Sequence, residues 1–447
     1  MFRPVFNPLS SAILILGLYA CKNAPTEPTD PNTKEADIYL ATTDAICAAD
    51  ATWISNPNMP TQVADTESFC DFYQFSWQWF LAETQPSGVS GERVWEINNR
   101  VVKPAGGPNQ CASTTDISGR AAVLKALVER DNKPDVFEAI QADGSPLYDQ
   151  AGNVLYYSIF YSPQECQATS AGFVAGTVEI KISWRILATA DPTYFTMNAS
   201  IPVTDAAGAK SQKDVILGLV GFHLVNWTSK HPEMIWATWE HKSNAPFCDG
   251  TSITPESGWS FASNEAATCL SANPSANGTL PAACSDFDLN NQPTHSEWYP
   301  STGAPDEICQ LFQFGTDSGV SANGNDNAAN FLAITQLNTA LVGPQGMITL
   351  LPVSDPMAVW ANYRMVGALW TKDGQASGSP PVPSAQSSIP NSSSPQRGSL
   401  ELANVTLETY EQGQTSFVPN CFGCHNYVVE SPLGVSHIAN DLLLPPM

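Results

Sequence analysis

Near the end of the chain, Asn420-Cys421-Phe422-Gly423-Cys424-His425 sets two cysteines three positions apart with a histidine directly behind the second. That spacing is the attachment signature of a c-type haem. Each thiol adds to a vinyl group of the macrocycle to form a thioether, and the adjacent histidine arrives under the iron as the proximal ligand. Two other chemistries use paired cysteines. A thioredoxin-like dithiol opens a helix within a βαβ pattern, and no such pattern precedes Cys421. A structural zinc site needs four ligands, and the chain has no second C-x-x-C. The expectation is one covalent haem c on Cys421 and Cys424 with His425 on the iron; a plain disulfide is the alternative.

Only 22 residues follow His425. A unit that small has too little core to bury a macrocycle alone, so the larger body of the chain must supply the distal wall. His223 and His241 are the leading candidates for the distal iron ligand, because both lie in strand-like, tryptophan-rich stretches. Each also reads as a hydrogen-bonded core histidine. His437 and Met447 lie close enough in sequence to fold back. Arg185 and Arg364 are candidate partners for haem propionates, since a guanidinium fork matches a carboxylate; either could instead pair with a nearby acid. No catalytic set is recognisable.

The remaining features concern compartment and partners. Arg3 followed by the apolar run Ser11 to Gly17 reads as an export signal over residues 1–20, too short to span a bilayer. Leu18-Tyr19-Ala20-Cys21 resembles the lipobox of bacterial lipoproteins, which implies lipid on Cys21 and attachment to a membrane through the amino terminus; simple secretion is the alternative. With Cys21, Cys421 and Cys424 assigned, eight cysteines remain, an even set suited to disulfides in an oxidising compartment. The expected location is the bacterial cell envelope, facing the periplasm or the exterior. A net charge of −24, from 43 acidic and 19 basic residues, repels phosphate backbones and argues against nucleic acid as a partner. The same field would steer a basic redox partner.

These residues need elements to position them. Residues 21–64 are rich in proline and polar side chains and are expected to form a tether. The main domain is expected over 65–370. It opens with an amphipathic helix, Ser68 to Glu83, capped near Asp65-Thr66, whose aromatic residues are read as core rather than haem pocket. Strand patterns follow around 154–161, 178–184 and 215–225, the last with glycines where neighbours approach closely. Val178, Ile180, Ile182 and Trp184 alternate with Glu179, Lys181 and Ser183. Residues 248–324 form a disulfide-rich insertion holding four cysteines. Helical periodicity returns over 330–341, and 359–370 is aromatic-rich. A Ser/Pro-rich loop, 371–399, precedes a carboxy-terminal segment, 400–447, whose residues 400–412 are expected to be helical. The fold class is therefore α+β and β-rich, with a large antiparallel-sheet domain, a few aromatic-rich helices and a short helical haem-bearing end.

Several of these stretches resemble a group of uncharacterised bacterial proteins known only as cytochrome c family proteins. The likeness is carried by Phe75–Ala82 with Val94-Trp95-Glu96, Val178–Trp184, Gly218–His223 and Ile235–His241. It continues through Trp360–Tyr363 and Ala403–Tyr410 into the C-x-x-C-H. It implies a single carboxy-terminal haem in an exported protein, and names no reaction. His223 and His241 fall inside the matching pieces; His437 falls outside. Together these readings favour an electron carrier at the cell envelope. A haem enzyme of peroxidase or oxygenase type, and a surface-binding lipoprotein without haem, are the alternatives.

Overall fold

The computed structural model describes residues 46–88, 92–98, 146–162, 164–165, 172–287, 289, 300–316, 326–372, 396–413, 420–425 and 435–436. The proposed signal, Cys21, Cys111, Cys166, His437 and Met447 lie outside these.

The centre of the fold is an antiparallel sheet of seven strands. Strands β1 (Tyr156–Tyr161), β2 (Val178–Leu187), β4 (Lys210–Asn226), β5 (Ile235–His241), β6 (Tyr363–Thr371) and β7 (Gln396–Gly398) run in that spatial order. The early half of β4 also pairs with β3 (Thr196–Thr204), so β3 and β5 take successive stretches of one edge. The helices are α1 (Thr52–Ser55), α2 (Phe69–Thr84), α3 (Val94–Asn98), α4 (Asn264–Ala272), α5 (Asn327–Val342) and the single turn α6 (Cys421–Cys424). This is the expected β-rich α+β class.

One face of the sheet carries the main core. Val178, Ile180, Ile182 and Trp184 all bury into it, as their alternation requires, and α2 and α5 pack over it. Phe80 stacks on Trp239 at 4.4 Å and meets Phe222 and Trp360 edge-on, while Trp77 meets Trp239 at 5.6 Å. The aromatic side chains of α2 are therefore core. Ser68, not Asp65 or Thr66, caps this helix: its hydroxyl accepts the Asp71 N–H, and the Asp71 carboxylate accepts the Ser68 N–H at 2.8 Å.

Order begins earlier than residue 65. Cys47 is bonded to Cys70 on α2, and Trp53, Ile54, Met59 and Val63 pack on the core, so 46–64 is folded chain rather than tether. Cys248–Cys309 and Cys269–Cys284 close the expected insertion around a small core of its own. The three disulfides among the described residues accord with an oxidising, extracytoplasmic compartment. Among the described residues no helix is long and apolar enough to cross a membrane.

The second face is covered by the returning chain at 399–411. The expected helix over 400–412 does not form; a single 3-10 turn, Thr409–Glu411, stands in its place. The reason is competition for hydrogen bonds. The Val405 N–H donates to Glu240, and the Asn404 amide donates to Thr238 and to the Trp239 carbonyl. Part of the expected Ser/Pro loop is likewise strand: β7 pairs with Leu369–Thr371.

Glycine at 221 makes this cover possible. A Cβ there would overlap the Thr406, Ser183 and Asn404 side chains, two of which bond to each other at 2.6 Å across the interface. Gly221→Val is expected to cost about 2–4 kcal/mol through overpacking and lost hydrogen bonds, read by urea denaturation. A change below about 0.5 kcal/mol would show that the cover yields freely.

Candidate functional site

The C-x-x-C-H sits where the returning chain meets the start of β5. Asn420 is extended (φ −155°), and its side-chain oxygen caps α6 by accepting the Phe422 N–H at 3.0 Å. Its amide nitrogen donates to the Leu400 carbonyl at 2.8 Å and to Gln396 at 2.9 Å. One polar residue thus starts the turn and ties it to β7. The turn closes with the His425 N–H on the Cys421 carbonyl at 2.8 Å. Positions three apart on a helical turn share a face, the arrangement two thioethers to one macrocycle require.

Phe422 anchors the turn. It is fully buried in an apolar cluster with Val225, Trp236, Val366, Leu369, Leu402 and Val435, and Cys421 packs half-buried against the same cluster. Behind it the His425 ring lies 4.4 Å from Trp236, inclined by 40°. Its Nδ1 is 3.0 Å from the Val435 carbonyl. A carbonyl only accepts, so Nδ1 carries the proton and, in the neutral ring, Nε2 carries the lone pair. A haem-ligating or metal-ligating histidine is oriented by this kind of outer hydrogen bond. The C-x-x-C-H turn is thus held by Asn420 and Phe422, with its histidine set against Trp236.

The other predicted residues fall elsewhere or are occupied. His223, on β4, shares the covered face with Trp236, because Val225 is in register with Trp236 and His223 with Thr238. Its Nε2 is hydrogen-bonded to Glu408. Burial works to raise the Glu408 carboxyl, but His223, Lys181 and the Asn404 N–H outweigh it and hold it low. His223 is a clasp between sheet and cover.

His241 is on the opposite face, at the far end of β5, roughly 16 Å along the strand from Trp236. It stacks on Tyr194 at 3.9 Å; Nε2 donates to the Thr193 carbonyl and Nδ1 accepts the Ser243 N–H. Burial pushes its pKa down to about 3, so it is neutral. With both nitrogens engaged, His241 is a core histidine, not an iron ligand. The arginines also hold acids of their own. Arg185 pairs with buried Asp149 at 3.0 Å and donates to Ser260 at 2.6 Å. Arg364 lies 3.9 Å from Glu240 and donates to Gln310 at 3.1 Å. Neither is brought to the C-x-x-C-H.

Glu240 escapes a reading by sequence pattern. It is wholly buried under the cover, with one oxygen accepting the Val405 N–H at 2.8 Å. Burial raises its pKa to about 7, against the lowering effect of Arg364. Its only hint in sequence is an acid amid Trp236-Ala-Thr-Trp-Glu-His241. Glu165 and Glu179 form a second buried acid pair: they hydrogen-bond to each other, and Ser436 donates to Glu165 at 3.2 Å. Two ionised carboxylates only accept, so the pair holds a proton, and burial raises both.

Comparison with family models, with curated proteins and with solved structures gives no match. Among the described residues no group of three or more His, Cys, Asp or Glu is arranged to hold a metal ion.

The raised Glu240 makes stability depend on pH. Below about 4.5 the acid is protonated in both the folded and unfolded chain, and its contribution is complete. As pH rises toward 7 the unfolded chain ionises first, and stability falls by up to about 3 kcal/mol. Glu240→Gln keeps an acceptor for Val405 and is expected to flatten the fall between pH 4.5 and 7.5. Thermal midpoints of the two proteins across that range should diverge; parallel curves would show that Glu240 ionises normally.

Proposed function

We propose that this chain is an exported monohaem c-type cytochrome that transfers electrons at the cell envelope. The haem would be bound through Cys421 and Cys424, with His425 as the proximal iron ligand. The observation that carries this reading is the His425 ring. It is held by the Val435 carbonyl and Trp236 directly behind a capped helical turn of C-x-x-C. When bound, such a group supplies a one-electron couple. The chain's own residues orient the imidazole, bury one flank of the attachment turn, and join it to the sheet through Asn420.

Electron transfer is favoured over turnover because the two histidines that could serve as acid–base groups are committed elsewhere among the described residues. His241 is committed to the core, and His223 to Glu408. Lipid on Cys21 would hold the protein at a membrane. The acidic surface suits a basic redox partner, found through the long-range field. The sixth iron position is given no protein ligand in this reading.

Expression in a host competent for haem attachment is the test. The chain should gain one haem's mass, and the alkaline pyridine spectrum of the reduced protein should show two thioether links. Cys421→Ser with Cys424→Ser should abolish the covalent haem and leave the fold's circular dichroism unchanged. A colourless wild-type product with both thiols intact would end the proposal.

A further inference from the structure

A concavity lies at the other end of β5 and β6 from the attachment turn. It is an open cavity of about 470 Å³ at the carboxy-terminal end of α5, bordered by Lys242, Arg364, Phe314, Val342, Pro344 and Thr349. That volume falls in the range of small-molecule sites, which combine apolar walls with a few placed polar groups. Two cations meet here in a chain with only 19 lysines and arginines, and among the described residues no acidic one lines the space.

The charge of Arg364 is only partly compensated. Arg364 is largely buried, yet among the described residues only one of its five N–H donors makes a hydrogen bond, to Gln310; its face stacks on Phe247 at 4.4 Å. Its nearest acid, Glu240, is 3.9 Å away and is half-protonated near neutral pH. Lys242 donates to the Val342 and Ala361 carbonyls, and burial together with Arg364 pulls its pKa down to about 8. Placing a guanidinium and an ammonium side by side is costly unless an anion or water answers them.

The ligand's charge can be narrowed. Val342 is the last residue of α5, so the negative pole of the helix faces this space beside Lys242. That pole disfavours anions, and a dianion such as phosphate more than a monoanion. A single carboxylate matches the unused edge of Arg364, and an apolar body matches Phe314, Val342 and Pro344.

We propose that this cavity binds a small organic monocarboxylate, with Arg364 taking the carboxylate and Phe314, Val342 and Pro344 the apolar body. The site is independent of the haem reading, since Arg364 is five residues along β6 from Leu369, the register partner of Trp236.

The test uses benzoate and hexanoate as probes, with benzamide and inorganic phosphate as controls, by calorimetry and thermal shift on the full chain. Both carboxylates are expected to bind and to raise the melting temperature, while the controls do neither. Arg364→Gln should weaken benzoate at least tenfold. Because that variant removes a buried partner of Glu240, Thr339→Trp provides a second arm: this exposed rim position on α5 fills the mouth without touching either cation. It should keep the wild-type melting temperature and lose binding at least tenfold. No carboxylate binding by the wild type, equal binding of phosphate or benzamide, or full binding by Thr339→Trp would overturn the proposal.

Discussion

The fold depends on a buried polar seam between the sheet and the chain that returns across it. Ser183, Thr238 and Glu240 point away from the aromatic core and would face water on an open sheet. Here they are buried, and each meets a partner from 404–406: Ser183 with Thr406, Thr238 with Asn404, Glu240 with the Val405 N–H. A buried donor or acceptor left unmade costs about 1–3 kcal/mol, so the seam tolerates one register of the returning chain and penalises the others. Gly221 sets the depth of contact, because any side chain there would hold the cover off.

That seam positions the C-x-x-C-H turn. The cover runs from β7 through 399–411, and Asn420 returns to bond Leu400 and Gln396 at its beginning. Phe422 then fills the apolar pocket at the start of β5, and His425 comes to rest on Trp236. The site is thus built on strands of the main sheet rather than on a free tail. A turn held this way presents its histidine in one orientation, which is what a ligand to iron requires.

The two ends of β5 and β6 have different electrostatic characters. At the Trp236 end the surroundings are apolar and acidic, with Glu165 and Glu179 sharing a proton near Ser436. Toward His241 and Arg364 they become cationic, with Arg364 and Lys242 close enough to depress Lys242. A strongly acidic chain keeps two of its few cations here, where burial makes each more costly than at the surface.

The residue pattern alone determined much. The C-x-x-C-H, the period-two alternation of β2, the aromatic face of α2, the disulfide-rich character of the insertion and the close approach at a β4 glycine are all local signals, and local spacing is what a sequence displays. It could not show that 400–412 would give up helix for side-chain partners on β2, β4 and β5, because those partners are about 165 to 223 residues away. Nor could it separate His223 from His241. Both stand in apolar strands of the same sheet, and only the register of β4 and β5 decides that one faces the cover while the other faces Tyr194. The same holds for Arg185 and Arg364, whose partners are set by packing. Chemistry that depends on neighbours in sequence was legible; chemistry that depends on which face of a strand is covered, and by what, belongs to the tertiary structure.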